Sequence, residues 1–266
     1  MKMLRRSLVI FAVLYALLCA AAYFGQTYVI FHPVPLPSNH VFRFEAHFDE
    51  YTLFTPDGEQ LNLLHFKHSQ QPSKGVVLYY HGNADNLERW GKYSKTFLSL
   101  GYDFIVWDYR GYGKSTGFPT TENMHNDAEL VYQFVRKRYK PTQIIIYGRS
   151  LGTGLAAYVA SRYAAKRLIL ETPYHSFAEV AHSYVPFLPY SGLLRYEFPT
   201  YRYLATVQCP VTIFHGTADE LLPFSSTEKL KTVLKPTDDF IVVQGGKHHD
   251  LAEYEQYRSH LRAILR

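Results

Sequence analysis

The first pattern along the chain is an uninterrupted apolar segment near its start. All seventeen residues from 8 to 24 are apolar, and no lysine, arginine, aspartate or glutamate lies between residues 6 and 43. Seventeen helical residues reach about 25 Å, slightly less than the ~30 Å hydrocarbon core of a bilayer, and a helix continued to residue 31 completes the span. We therefore predict a membrane anchor over residues 1–31 and a second unit over residues 32–266.

The same segment shares one feature with a cleaved signal peptide. Ala20, Ala21 and Ala22 offer a small-residue cleavage site. The apolar run is longer than the ~7–15 residues usual for the core of a signal peptide, so a retained anchor is the favoured interpretation and cleavage is the alternative. Basic residues precede the span and none follows it closely, which predicts a cytoplasmic N-terminus and a body on the non-cytoplasmic side.

After residue 41 the hydrophobic pattern becomes that of an α/β domain. Residues 41–48, 51–56 and 61–66 are predicted as short strands, with a turn at Asp49 and Glu50. The later predicted strands are GVVLYY, YDFIVWD, QIIIY, RLILE, VTIFHG and DFIVVQ. Helices are predicted over residues 90–100, from a cap at Thr121 to 138, and over 151–160, 225–234 and 251–265. Continuous apolar strands that alternate with helices indicate a mostly parallel central sheet covered on both faces.

One segment interrupts this alternation. Residues 174–205 are rich in proline, tyrosine and phenylalanine and have no clear period. Long irregular segments within compact domains are commonly lids or binding loops. We therefore predict a short cap that is inserted between two strands of the core.

Charge and cysteine content exclude several classes of protein. The formal net charge is +5, but Lys2, Arg5 and Arg6 supply three of these charges, and the body has no basic stripe that would match a phosphate backbone. Nucleic-acid binding is therefore not expected. Cys19 and Cys209 lack metal-ligand spacing, so we expect no structural zinc, no other metal or cofactor, and no disulfide framework.

Candidate chemistry begins in the segment IIIYGRSLGTG. Ser150 lies between Gly148 and Gly152, after an apolar strand and before a helix, and matches the pattern G-x-S-x-G. A tight strand-to-helix turn strains the backbone of the serine, and side chains two residues away on either side would collide. The turn exposes the hydroxyl at the positive end of a helix, where backbone N–H groups can receive an oxyanion. Ser150 is therefore the predicted nucleophile.

A serine nucleophile needs a base, and the base needs an orienting acid. With this kind of turn the chain order is serine, acid, histidine. Asp219 follows the strand VTIFHG, and His248 follows the last strand and a pair of glycines. We predict Asp219 as the acid, with Glu220 as the nearest alternative, and His248 as the base, with His249 as the alternative.

Backbone N–H groups complete the predicted site. The loop HGNADN follows the third core strand, where one oxyanion donor is expected, and we assign it to the N–H of Asn83. The partner donor is the N–H of Leu151, directly after the nucleophile. Structural roles are expected for other polar residues near these loops, although Glu171 is kept as a displaced candidate acid. They are His81, Asp108, Arg110, Glu171 and His215.

Six segments together resemble the alpha/beta-hydrolase superfamily. They are HGNADN, DYRGYGKSTG, YGRSLGTG, LETPY, HGTADELLP and GGKHHD. The resemblance is strongest to single-span, membrane-anchored hydrolases related to serine aminopeptidases, monoacylglycerol lipases and protein depalmitoylases, and it runs from about residue 26 to the C-terminus. It implies an alpha/beta-hydrolase fold, a catalytic triad of Ser150, Asp219 and His248, and an oxyanion position at Asn83.

We therefore expect a membrane-tethered serine hydrolase that cleaves esters or thioesters of small acyl substrates. The anchor and the aromatic cap favour lipid-like chains. The alternatives are a peptidase that cleaves aminoacyl amides, an acyltransferase and a non-catalytic membrane scaffold. A haloalkane dehalogenase is disfavoured because it needs aspartate in place of Ser150. The sequence predicts no particular oligomeric state.

Overall fold

An eight-stranded sheet forms the centre of the domain in the computed structural model, which describes residues 2–70, 72–190 and 192–266. The strands are β1 (Phe48–Phe54), β2 (Gln60–Phe66), β3 (Val76–Tyr80), β4 (Asp103–Trp107), β5 (Ile144–Arg149), β6 (Arg167–Glu171), β7 (Val211–Gly216) and β8 (Asp239–Val243). Their order across the sheet is β8-β7-β6-β5-β3-β4-β2-β1. β2 pairs antiparallel with β1 and β4, and the other neighbours are parallel. The predicted mostly parallel sheet is confirmed.

Helices cover both faces of this sheet, as predicted. All the helices that the structure describes are α1 (Lys2–Ile30), α2 (Leu87–Trp90), α3 (Ser94–Leu98), α4 (Thr121–Arg136), α5 (Gly152–Arg162), α6 (Phe177–Tyr184), α7 (Thr200–Leu204), α8 (Phe224–Glu228) and α9 (Glu255–Ile264), of which α1 and α6 lie outside these two layers. Alternate residues of β3 belong to different cores: Leu78 packs with residues of α4 and α5, whereas Val77 packs with residues of α2, α3 and α9. Strands buried on both faces need apolar residues at every position, which explains the continuous apolar runs.

The predicted strand over residues 41–48 is wrong. Residues 41–47 form no strand, and Asp49 and Glu50, predicted as a turn, lie inside β1. The apolar alternation has a different cause, because Phe42 and Phe44 pack as part of an irregular segment against the aromatic core beneath the sheet. Packing of a loop therefore produced a pattern that is typical of a strand.

Three predicted helices are broken or shorter in the structure. The segment over residues 90–100 consists of α2, a 3-10 turn (Gly91–Tyr93) and α3, and α8 continues only as a 3-10 turn (Lys229–Val233). The predicted helix over residues 251–265 likewise begins with a 3-10 turn (Leu251–Glu253) ahead of α9. The N-cap of α4 is Thr120 rather than Thr121, because the Thr120 side chain accepts the N–H of Asn123 in a capping box.

α1 and the cap lie next to each other beside the sheet. α1 has 29 residues and is long and apolar enough to cross a membrane, and Gln26 is its buried residue. The predicted cap lies between β6 and β7 and contains α6 and α7, and the described residues between these two helices form no helix or strand. The side-chain amide of Gln26 links α1 to the cap, since it donates to the carbonyl of Leu193 (2.9 Å) and accepts the N–H of Arg195 (2.8 Å).

Candidate active site

Ser150 occupies the tight turn between β5 and α5. Its φ of +51° lies in the left-handed region, which non-glycine residues rarely adopt. A Cβ on Gly152 would lie 2.1 Å from the carbonyl oxygen of Tyr80, and a Cβ on Gly148 would lie 2.6 Å from that of Gly152. No side chain fits at such distances, so the turn requires both glycines. It places the half-buried serine hydroxyl at the carboxyl edge of the sheet, directly before a helix.

The structure brings the hydroxyl, an imidazole and a carboxylate together from three strand ends. His248 Nε2 lies 2.9 Å from Ser150 Oγ, and His248 Nδ1 lies 2.8 Å from Asp219 Oδ2. Ser150 follows β5, Asp219 follows β7 and His248 follows β8. The carboxyl ends of parallel strands meet at one edge of a sheet, which explains how residues 98 positions apart come into contact.

The carboxylate of Asp219 is buried and well supplied with donors. Its Oδ1 accepts the backbone N–H groups of Leu221 (2.9 Å) and Leu222 (2.8 Å). Burial alone would raise the pKa of Asp219, but the hydrogen bonds from His248 and Leu222 outweigh it and hold the pKa below its usual value. His215 lies 3.3 Å from the same carboxylate, and burial lowers its pKa, which favours its neutral form. The Asp219 carboxylate is therefore available to orient His248 and to stabilise its protonated form.

The alternative acid and base lie in different surroundings. The side chain of His249 is exposed, and its ring packs edge-on against that of His248, with centroids 4.8 Å apart. Glu220 is exposed to solvent. Glu171 is buried and lies 3.3 Å from the Arg149 guanidinium, so its carboxylate already has a charged partner. These positions favour Asp219 and His248 over the alternatives.

Arg149 is a residue that the sequence reasoning missed. Its guanidinium is buried, pairs with Glu171 and donates to the backbone carbonyl of His249 (3.3 Å). It therefore holds the loop that carries His248 against the end of β5. The available signal was an arginine at the end of a buried strand, since arginine is almost never fully buried unless it is paired.

The loop after β3 approaches the serine closely. A Cβ on Gly82 would lie 3.7 Å from Ser150 Cβ, and Asn83 lines the same cavity as Ser150 and Leu151. The Asn83 side chain donates to the carbonyl of Ile30 (2.8 Å), and its own carbonyl accepts the N–H of His32 (2.8 Å). The end of α1 thus holds the loop that carries one of the two predicted oxyanion donors.

The other polar residues near the site have partners of their own. His81 and Asp108 are fully buried and face each other at 3.5 Å, and Arg110 binds Asp127 at 2.7 Å. These contacts brace the loops behind the serine. Within residues 2–70, 72–190 and 192–266, no group of three or more His, Cys, Asp or Glu side chains is arranged to hold a metal ion.

A cavity of about 620 Å³ leads away from Ser150 and His248. Its walls come from α1, from α6 and the segment that follows it, and from the loop after β7. None of its described lining residues is Asp, Glu, Lys or Arg. A cavity without charged walls suits an apolar chain rather than a charged group.

Comparisons with known proteins agree with this architecture. Residues 71–195 match the family described as serine aminopeptidase, S33. Human alpha/beta hydrolase domain-containing protein 17B is 33% identical over 200 residues, which are 73% of this chain and 67% of that protein. An uncharacterized protein of Mycobacterium tuberculosis is 30% identical over 198 residues, which are 74% of this chain and 70% of that protein.

Two further matches extend the comparison. Lysophosphatidylserine lipase ABHD12 of Danio rerio is 34% identical over 191 residues, which are 62% of this chain and 48% of that protein. Among solved structures, an esterase of Pyrococcus furiosus superposes with a TM-score of 0.67 at 18% identity, covering 89% of this chain and 97% of that one. The chain therefore belongs to the alpha/beta-hydrolase superfamily.

Proposed function

We propose that this hydrolase is a membrane-anchored serine enzyme that cleaves carboxylic esters or thioesters of lipid-like acyl groups. The observation that carries the proposal is the hydrogen-bonded series from Ser150 Oγ to His248 (2.9 Å) and from His248 to Asp219 (2.8 Å). A hydroxyl within hydrogen-bond reach of an imidazole, which is itself oriented by a carboxylate, is the arrangement that activates a serine nucleophile.

In the first half-reaction, Ser150 Oγ attacks the acyl carbonyl carbon and its proton passes to His248 Nε2. The Asp219 carboxylate accepts the Nδ1–H bond and stabilises the imidazolium that forms. The carbonyl oxygen becomes an oxyanion, and the N–H groups of Asn83 and Leu151 are the proposed donors to it. His248 then gives its proton to the leaving oxygen or sulfur, which departs as an alcohol or thiol and leaves an acyl-serine.

Water completes the cycle through the same groups. His248 Nε2 takes a proton from water as the hydroxide oxygen attacks the acyl-serine carbonyl. The tetrahedral intermediate collapses when the bond to Ser150 Oγ breaks and His248 returns the proton to that oxygen. The carboxylic acid leaves, and the enzyme regains its starting protonation state. No oxidant, reductant or cofactor is needed for this balance.

The residues that line the cavity favour an acyl substrate over an aminoacyl substrate. An α-ammonium group needs carboxylates to replace its hydration shell, and the described lining includes no acidic side chain. Esterases and a lysophosphatidylserine lipase occur among the similar proteins. The name of the matched family keeps amide cleavage by a serine aminopeptidase as the second candidate.

We also propose that α1 anchors the enzyme in a membrane with the catalytic domain on the non-cytoplasmic side. Lys2, Arg5 and Arg6 precede the apolar run and no basic residue follows it closely. The Tyr15 hydroxyl donates to the carbonyl of Phe187 in the cap (2.9 Å), so α1 contacts the catalytic domain ahead of the alanines of the alternative cleavage site. This contact supports a retained anchor.

A fluorophosphonate probe tests the serine mechanism, and an ester series tests the substrate class. We expect covalent labelling confined to the peptide that contains Ser150. Each added methylene of the acyl chain contributes about 0.8 kcal/mol when buried, which raises kcat/KM about fourfold until the cavity is filled.

The other outcomes of this test would identify one of the alternative functions. Absence of labelling contradicts the mechanism and favours the scaffold. Faster cleavage of aminoacyl amides than of esters identifies a peptidase. Preferential transfer of the acyl group to an added alcohol rather than to water identifies an acyltransferase.

Substitution Asp219→Asn is expected to lower kcat about 10⁴-fold, because an amide cannot fix the tautomer and charge of the histidine as a carboxylate does. Glu220→Gln is the matched control, since it makes the same change at the adjacent, exposed carboxylate and is expected to leave kcat unchanged. Steady-state hydrolysis of a chromogenic ester measures both. A larger loss of kcat in Glu220→Gln than in Asp219→Asn would contradict the assignment of Asp219 as the acid.

A further inference from the structure

The segment that follows α6 has the composition of a membrane-embedded loop. We name residues 185–190 the cap loop. The sequence between His182 and Arg195 holds no Asp, Glu, Lys, Arg or His. Phe187 in the cap loop and Tyr184 just before it are exposed to 63% and 60%. Exposed aromatic residues in a stretch without charges mark an interaction surface.

Contacts with α1 give the depth of this loop relative to a bilayer. The Arg195 guanidinium lies 5.7 Å from the centre of the Tyr23 ring, a pairing suited to the level of the lipid headgroups. The carbonyl of Phe187 instead binds Tyr15. Tyr15 precedes Tyr23 by eight residues, which is about 12 Å along a helix. If α1 spans the bilayer, the cap loop lies well inside the hydrocarbon.

Several backbone polar groups of the cap loop have hydrogen-bond partners within the protein. Irregular backbone is tolerated at membrane depth only where protein groups bond its polar atoms. Pro186 and Pro189 have no N–H. The carbonyl of Phe187 accepts the Tyr15 hydroxyl, and the carbonyl of Val185 accepts the hydroxyl of Tyr190 (2.6 Å). Two tyrosine hydroxyls therefore bond carbonyls that water would bond in an ordinary surface loop.

The cavity connects this loop to the serine. Ile30 lies at the Ser150 end, where its carbonyl binds Asn83, and Ala21 lines the cavity nine residues earlier in α1. Nine helical residues correspond to roughly 13 Å. Leu188 of the cap loop also lines the cavity, so the wall runs from the nucleophile to the embedded segment.

We propose that the cap loop is immersed in the bilayer beside α1 and that the cavity opens there, so that acyl chains reach Ser150 directly from the hydrocarbon. The proposed immersion requires that α1 spans a membrane. The proposed route of the acyl chain rests on the hydrolase function proposed above. The partner of this surface is a lipid bilayer.

Fluorescence quenching tests the immersion without reference to catalysis. The full chain carrying Phe187→Trp is placed in vesicles of phosphatidylcholine brominated at mid-chain. Its added emission is expected to be quenched as strongly as that of Leu14→Trp on the exposed side of α1. Phe54→Trp is the matched control, since Phe54 is exposed to 68% but lies next to the β1–β2 turn with Asp57 and Glu59. Quenching of Phe187→Trp no stronger than that of Phe54→Trp would overturn the proposal.

Chain-length selectivity tests the route. Ala22 lines the cavity, whereas Ala20 is exposed on the same helix outside it. Ala22→Phe is expected to lower the ratio of kcat/KM for long-chain to short-chain esters in vesicles at least tenfold, and Ala20→Phe is expected to keep that ratio. Equal ratios in the two variants would overturn the proposed route. If the wild-type protein hydrolyses no ester, the proposed function fails, and the quenching measurement alone decides the immersion.

Discussion

Substitution Ser150→Ala is expected to lower kcat for ester hydrolysis about 10⁶-fold, the scale of loss seen when a serine nucleophile is removed from this kind of machinery. Without the Oγ atom no acyl-serine can form, and the remaining groups can only assist a direct attack by water. Alanine keeps the Cβ at the same backbone conformation, with φ at +51°, so the turn is expected to fold as before.

Ser161→Ala is the matched control for this substitution. Ser161 lies in the same α5 helix that follows the turn, and its hydroxyl bonds the carbonyl of Tyr158 (2.6 Å). Pre-steady-state and steady-state hydrolysis of a chromogenic ester, together with circular dichroism, measure both variants. A Ser150→Ala protein that kept a tenth of the wild-type kcat would contradict the serine mechanism outright.

Substitution His248→Gln is expected to lower kcat by a similar factor of about 10⁶, because the nucleophile and its base act as one unit and losing either costs nearly the whole. Glutamine lacks a group that can accept the Ser150 proton and return it. The measurement is kcat across pH 5 to 9 with the same ester, and the variant is expected to show only a slow, hydroxide-dependent rate.

The neighbouring His249 supplies the control. His249→Gln makes the same chemical change one residue later, at an exposed ring that touches the side of His248. We expect a change in kcat of less than threefold. If His249→Gln were the more damaging variant, the 2.9 Å contact between His248 and Ser150 would not be the one that catalysis uses.

The core of the fold could be predicted because its strands are buried on both sides. Runs such as IIIY in β5 and VVLYY in β3 contain no charged residue because both faces of each strand are buried. The same runs predict the strands, so sequence and structure agree there. The candidate site was predictable for a related reason. Ser150, Asp219 and His248 each follow a parallel strand, and such strands bring their carboxyl ends to one edge.

The peripheral elements could not be predicted as well, because tertiary packing decides them. Phe42 and Phe44 alternate like strand residues, yet they fill a space beside the sheet without pairing to it. The role of Arg149 could not be predicted, because it depends on contacts with Glu171 and with the loop that carries His248, and both are distant from it in sequence. The walls of the cavity come from α1 and the cap, whose mutual position no local pattern encodes.

The connection between α1 and the rest of the domain is very short. α1 ends at Ile30, and within two residues His32 pairs with Ala84 in the loop beside Ser150, so no flexible linker separates α1 from the candidate site. A tether of disordered residues would let a catalytic domain range over several nanometres. If α1 spans a membrane as proposed, Ser150 is held at one height above that membrane. We then expect no cleavage of acyl groups on an opposing membrane or on a protein segment that lies far from the bilayer.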